Sequence, residues 1–517
     1  MSSRGYGGEG YDNYRHGDYR RGEHGYGGGA GVRRRRRRRR LKPLPVLILT
    51  LVVAAIVLFS VLGARGRGDQ PYVYEDEWKA AVEKADEGLH YQALTELSQL
   101  LARPEAPPAE FLAEMEEIKA AFFTQGMQEA RMLISQGKFP DANQLAQNLQ
   151  EFFPNDPRVE NLIFSSVDLE RYTGTVEHIF FHSLMVYPQL GWKGVIPNET
   201  SSGSGLDTRE QELVTVYEFK KILENLYRND FIIIDINMLY TAAFDENGGV
   251  TGVTRNELWL PKGKKPLVIS VDDINYYQNK LSLNGWNWKL ILDGDGELAA
   301  YSKTPDGKEV ISRDNEIVTI LDSFVLAHPD FSFNNSKGCL ALTGYEGVLG
   351  WRIKDPTAAN YAEELAGCKA VVAKLKENGW TFASHGYAHI YADGYKNSKG
   401  EYIETSYASL VNDTDRWLEV VGSVVGPTSV YIYPYGNNVG YGNTTDKLKY
   451  LQQNGFAMFC GVRNNAALLA FFPGYNYVFQ ERRLMGGLLF FPNNSSWFNH
   501  MMDADDVRDP NRPSPLR

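Results

Sequence analysis

The sequence predicts an α/β protein whose larger part is a deformed (β/α) barrel. Three observations carry this reading. From Tyr172 onward, short apolar runs alternate with stretches of helical length, the rhythm of strands joined by crossover helices. Several of those runs are apolar throughout rather than alternating, as strands buried on both faces are. Two of them lead straight into clusters of Asp or His, and the ends of strands are where such barrels carry their chemistry. At 517 residues the chain exceeds what one core usually organises, so further units are expected ahead of the barrel.

Residues 1–43 are dominated by Gly, Tyr and Arg and contain an unbroken arginine run, Arg33 to Arg40. Such a segment cannot bury a core and reads as a disordered tail. Residues 44–64 carry no charge. As a helix at about 1.5 Å per residue they would reach about 31 Å, the thickness of bilayer hydrocarbon. A cleaved leader would be shorter and nearer the N-terminus, so the expectation is an uncleaved transmembrane helix. Positive charge stays on the cytoplasmic side, which predicts a single-pass cell-membrane protein with a cytoplasmic tail and the bulk of the chain extracytoplasmic. The first 43 residues hold 13 Lys/Arg against 4 Asp/Glu, although the whole chain has a formal net charge of −10, so the remainder is strongly acidic. Beside a membrane span, the arginine run reads as a topology signal touching anionic lipid, and no specific nucleic acid is expected. The three cysteines, Cys339, Cys368 and Cys460, have neither zinc-ribbon nor CxxC spacing and read as buried thiols.

A polar linker, residues 65–75, is followed by a helical region over residues 76–171 rich in Ala, Leu, Glu and Gln, with helical spacing at Ala93, Leu94, Leu97 and Leu100. Two of its segments, Gly88-Leu89-His90-Tyr91-Gln92-Ala93 and Gly137-Lys138-Phe139-Pro140-Asp141-Ala142, place Gly, an aromatic and Ala in turn and resemble tetratricopeptide (TPR-like) helix hairpins. Such a region suits a spacer or a module for protein partners.

Residues 172–517 supply the barrel. The expected order is a strand at Val176–His182, a helix at Val216–Leu226, a strand at Phe231–Ile236 and the strand ending in Asp272-Asp273. Polar turns at Asp293-Gly294-Asp295-Gly296 and Pro305-Asp306-Gly307 then mark an inserted hairpin at about residues 283–318. After the apolar run Ile317–Val325 come a strand at Gly338–Thr343, a helix at Tyr361–Asn378 and the strand Trp380–Ala383 that leads to two histidines. A helix near Leu410–Val421, a strand at Val430–Tyr433, a helix at Thr445–Asn454 and strands at Phe456–Cys460 and Gly487–Phe491 complete the series.

The chemistry-bearing residues stand at two of those strand ends. The run Leu267-Val268-Ile269-Ser270-Val271 ends in Asp272-Asp273, which can serve one centre only if the strand is already turning there. The second strand ends in Ser384-His385-Gly386-Tyr387-Ala388-His389, whose imidazoles, at an interval of four in a helical turn, would share one face and could both reach a cation at about 2.0–2.1 Å. His178 and His182 have the same interval but lie in a strand, where they would stand about 13 Å apart. They read as packing or mouth-lining residues, with His182 near enough to the strand end to touch substrate.

These residues resemble the polysaccharide deacetylase family, the NodB homology domain of carbohydrate esterase family 4, over roughly Glu177 to Gly487. The resemblance runs through Ile179-Phe180-Phe181-His182-Ser183, the pair Asp272-Asp273, His385 and His389, and the turn Pro434-Tyr435-Gly436. It implies a metal-dependent hydrolase that removes acetyl groups, acting on the amide bonds of an N-acetylated polymer such as peptidoglycan or another N-acetylhexosamine chain. Asp273, His385 and His389 would bind a divalent cation, most often Zn2+, and Asp272 would be the general base. Tyr435, following Pro434, would offer a backbone N–H to the oxyanion. Three protein ligands would leave a position for water, and a neighbouring carboxylate could take its proton.

The chain departs from the family pattern in three places. Ile274 stands where Gly usually follows the aspartate pair, with Asn275-Tyr276-Tyr277 behind it. The arginine that precedes the Pro-Tyr turn is absent, Ile432 and Tyr433 being there instead, which leaves Arg482, Arg483 or Arg463 to orient the base. The late histidine that protonates the leaving amine has no clear counterpart, and His500 is a poor match. A second function class therefore stands beside the hydrolase: a catalytically impaired deacetylase-fold scaffold or glycan-binding protein at the cell wall. A glycosidase is disfavoured, because it needs carboxylates about 5–10 Å apart on separate strands.

Overall fold

A computed structural model of the chain describes residues 72–193, 208–281, 285–491 and 494–512. The tail and the segment 44–64 lie outside the described residues. The membrane-anchored reading is withdrawn, because no helix among the described residues is long and apolar enough to cross a membrane.

The chain divides into two compact units, Met1–Gly126 and Met127–Arg517. In the first, helices α1 (Glu75–Asp86) and α2 (His90–Leu101) form a hairpin, and α3 (Ala109–Ser135) begins. The spacing of Trp78, Ala81 and Ala85 on α1 and of Ala93, Leu94, Leu97 and Leu100 on α2 gives each helix one apolar stripe, and these residues are buried. Gly88, at φ +85°, closes α1 in the left-handed conformation that residues with a Cβ avoid.

The second unit contains a further helix pair, α4 (Phe139–Phe152) and α5 (Pro157–Phe164), and the barrel. Asn161 of α5 donates to the carbonyls of Pro329 and Ser332 and accepts from the Asn335 N–H, fastening this pair to a loop of the barrel unit.

Among the described residues, seven parallel strands close the barrel: β1 (Glu177–His182), β3 (Lys265–Asp272), β4 (Cys339–Leu342), β5 (Thr381–Ser384), β6 (Val430–Ile432), β7 (Met458–Val462) and β8 (Tyr477–Leu484). Their order around the barrel is β3-β4-β5-β6-β7-β8-β1 and back to β3. A short strand, β2 (Phe231–Ile233), pairs with the first half of β3, whose second half pairs with β4. Outside the barrel lie α6 (Val216–Arg228), α7 (Ile317–Ala327), α8 (Tyr361–Glu377), α9 (Tyr407–Trp417) and α10 (Asp446–Gln453). Alternate strand residues, among them Ile179, Phe181, Ile269, Val271, Leu340, Leu342, Tyr431 and Phe479, join the helices in one apolar core. The residues between them, including His178, Ser270, Asp272, Gln480 and Arg482, therefore turn inward.

Three expectations need correction. Gly487–Phe490 is a short 3-10 helix, and the last barrel strand is Tyr477–Leu484. A short apolar run cannot be told from a buried turn of helix by periodicity, while the charged Gln480-Glu481-Arg482-Arg483 concealed the true strand. The insertion is a three-stranded antiparallel sheet, Lys289–Leu292, Leu298–Lys303 and Glu309–Ser312, rather than a hairpin. The strand expected to reach Ile236 ends at Ile233, and Asp235 caps a 3-10 turn by accepting from the Asn237 N–H.

Candidate metal centre

Asp272 is the last residue of β3, and Asp273 follows it at φ +57°, so the strand does turn between the two carboxylates. His385 follows the end of β5, on the strand that neighbours β4. The segment Gly386–His389 is a loop and not the helical turn expected from its spacing. Gly386 at φ +64° and His389 at φ +54° reverse it, and Asp413 of α9 accepts from the backbone N–H groups of Tyr387 and Ala388 at 2.8 and 2.7 Å. A Cβ on Gly386 would lie 2.7 Å from an Asp413 carboxylate oxygen, so only glycine fits this bend. Tyr435, in the turn after β6, also adopts a left-handed φ of 59°. Asp273, His389 and Tyr435 thus share a rim on which non-glycine residues are held in a sparsely populated conformation, a cost that the surrounding structure must offset.

The bend brings the two imidazoles together, with ring centroids 4.8 Å apart. One potential ligand atom from each of Asp273, His385 and His389 lies within 4.8 Å of the others. Nδ1 of His385 is 2.8 Å from the Ile432 carbonyl, so it carries the proton and leaves Nε2 as the lone pair. Burial, only partly offset by Asp273, pushes His389 down to about 4 and keeps it neutral. Asp273 Oδ2 is 3.6 Å from His389 Nε2, and its Oδ1 accepts from the Tyr277 hydroxyl, which also lies 2.6 Å from Thr343 Oγ1. One carboxylate and two imidazoles, that of His385 oriented by its bond to the Ile432 carbonyl, are a donor set that fits a divalent cation.

Asp272 is 2 % exposed and meets Arg482 in a two-pronged pair, Nη1 to Oδ1 at 2.7 Å and Nη2 to Oδ2 at 3.0 Å. Burial alone would raise its pKa, but Arg482 and then His385 outweigh that and hold the carboxyl below its usual range. Asp272 Oδ2 is 3.8 Å from His385 Nε2. Arg482, not Arg483, occupies the position for which the sequence offered three arginines. Arg483 faces away and pairs with Glu177 at 2.8 Å, beside His500 at 2.9 Å, at the opposite end of β1 from the rim. Arg463 pairs with Glu481.

His182 ends β1 directly beside Asp272 in the strand register, and its Nδ1 is buried with no hydrogen-bond partner. Tyr435 stands over the same rim with its ring 4.5 Å from that of His389 and is 40 % exposed. Pro434 is buried beneath it. Ile274, the departure from glycine, is fully buried in the outer core. His178 is not a mouth residue but lies within the barrel, bonded to Gln480 and Ser270.

Sequence reading missed the supporting residues Tyr277, Thr343 and Asp413. Only Tyr277 carried a signal, as an aromatic four residues beyond Asp273.

No protein-family model matches the chain, and no curated protein matches it. Among solved structures, IcaB from Ammonifex degensii is similar over 63% of this chain and 97% of its own, at 13% identity and a TM-score of 0.32. A likeness at that level establishes neither family nor activity.

Proposed function

We propose that this protein is a metal-dependent hydrolase that removes acetyl groups from the amide nitrogen of an N-acetylated polysaccharide. The observation that carries the reading is the placement of Asp273, His385 and His389 around one point, with an ionised Asp272 held beside them by Arg482. Asp273, His385 and His389 would hold the cation, Zn2+ by the chemistry of the donors, and when bound it would supply Lewis acidity toward water and the acetyl carbonyl. Asp272 is ionised at neutral pH and accepts the proton of the attacking water. The Tyr435 backbone N–H, on the turn begun by Pro434, donates to the oxygen that gains charge. His182 supplies the acid that the family pattern left vacant: it stands across the strand pair from Asp272, and its buried Nδ1 has no other partner. From there it gives a proton to the leaving amine. The exposed Tyr435, stacked on Tyr391 at 3.9 Å, forms an aromatic wall at the rim suited to the apolar edge of a sugar ring.

The test is acetate release from N-acetylglucosamine oligomers and from peptidoglycan, with and without a chelator. Release that stops on chelation and returns with Zn2+ supports the hydrolase. Stoichiometric zinc binding with no release from any acetylated glycan favours the scaffold.

A further inference from the structure

Parallel barrels usually fill their interior with branched apolar side chains. This one carries a file of polar groups below the rim. His178 Nδ1 is 3.0 Å from Gln480 Oε1, and His178 Nε2 is 2.9 Å from Ser270 Oγ. Ser270 Oγ is 3.1 Å from Arg482 Nη1, whose guanidinium grips Asp272.

The directions of these bonds are set by chemistry. Arginine only donates, so the Ser270 oxygen accepts from it, and the Ser270 proton points to His178 Nε2. Gln480 Oε1 only accepts, so His178 carries its proton on Nδ1. The file works with a neutral imidazole, and burial together with the charge of Arg482 pushes His178 down to about 3. Arg482 is further held by the Gly461 carbonyl at 3.3 Å and by the Phe180 ring, whose centroid is 4.1 Å from the guanidinium carbon.

Asp272 has a second fate open to it. Its Oδ2 is 3.8 Å from His385 Nε2, only slightly farther than the 3.6 Å between Asp273 Oδ2 and His389 Nε2, so a released Asp272 could turn onto the cation as a fourth protein ligand. It would then no longer be a free base, and it would take the position that substrate water needs.

Resting on the hydrolase reading above, we propose that His178 is a positioning residue: through Ser270 it sets Arg482, and Arg482 keeps Asp272 off the metal and available as a base. His178 touches neither substrate nor cation. Its effect passes through two side chains.

The experiment uses the full chain loaded with Co2+, whose visible absorption reports the number and kind of ligands, together with steady-state acetate release. His178→Gln puts an oxygen where Nε2 stood and can still accept from Ser270. His178→Asn keeps the donor toward Gln480 but loses that acceptor. The expected result for His178→Asn is a kcat about tenfold to a hundredfold lower with KM little changed, and an altered cobalt band. His178→Gln should restore both. The proposal is overturned if His178→Asn matches the wild type in band and kcat, or if both variants fall equally, as a loss of packing alone would produce. Should the wild type release no acetate, the hydrolase reading fails while the cobalt bands of the two variants still decide whether His178 sets the ligand shell.

Discussion

The rim of the barrel and its interior solve opposite problems with the same kinds of side chain. At the rim, Asp273, His385 and His389 keep lone pairs turned toward one point, and their backbone is bent to achieve it. In the interior, the Gln480 amide oxygen, both ring nitrogens of His178, the Ser270 hydroxyl and the Arg482 guanidinium bond to one another and to Asp272. Asp272 and Asp273 are neighbours in the chain, yet one belongs to the file and the other to the cluster. Identical carboxylates acquire different roles from what grips them.

Mutations that cross this division should have the largest effects. Asp272→Asn is expected to lower kcat by about 10²–10⁴ while zinc binding persists, because a base is lost and no ligand is. A parallel loss of zinc in equilibrium dialysis would place Asp272 in the ligand set and erase the distinction. Next, Arg482→Met removes one partner of a fully buried ion pair and should cost about 3–5 kcal/mol in urea unfolding of the metal-free protein. An unchanged midpoint would mean that the interior file is dispensable to the fold.

Tyr277→Phe tests the rim from outside. It deletes the hydroxyl that donates to Asp273 and should weaken zinc binding by about 10–100-fold with little change in stability. A further effect concerns pH. The unfolded His178 takes up a proton near pH 6.5, while the folded one stays neutral down to about 3. The unfolded state therefore binds more protons in that window, and stability should fall as the pH is lowered through it. Melting temperatures of the metal-free protein between pH 7 and pH 4 should show a shallower decline in His178→Gln than in the wild type. Equal slopes would show that the interior imidazole is not held neutral.

The two regions also differ in how far the sequence reveals them. His385 and His389 lie four residues apart at the end of an apolar run, and Asp272-Asp273 end another, so short-range pattern locates the cluster. The helical turn expected between the histidines is wrong because the Gly386 bend and its anchor, Asp413, come from separate elements. The interior file is barely legible. Its members sit on β1, β3 and β8, and only barrel closure brings them together. Ser270 does share a strand face with Asp272 by the period of two, which is the available hint. The charges of β8 make it look unlike a strand, so Arg482 enters as one of three candidates and the apolar Gly487–Phe490 passes for the final strand. Strands whose inward residues are uncharged, such as β6 and β7, are legible to within two residues of their observed ends.

The central claim is that one cation is held jointly by Asp273, His385 and His389. It is tested most directly by anomalous diffraction at the zinc edge from crystals of the zinc-loaded protein. The account predicts a peak at the barrel rim, about 2.0–2.2 Å from one oxygen of Asp273 and one nitrogen of each histidine, with Asp272 still on Arg482. Zinc bound elsewhere, or a peak that any one of those three side chains fails to reach, would contradict it.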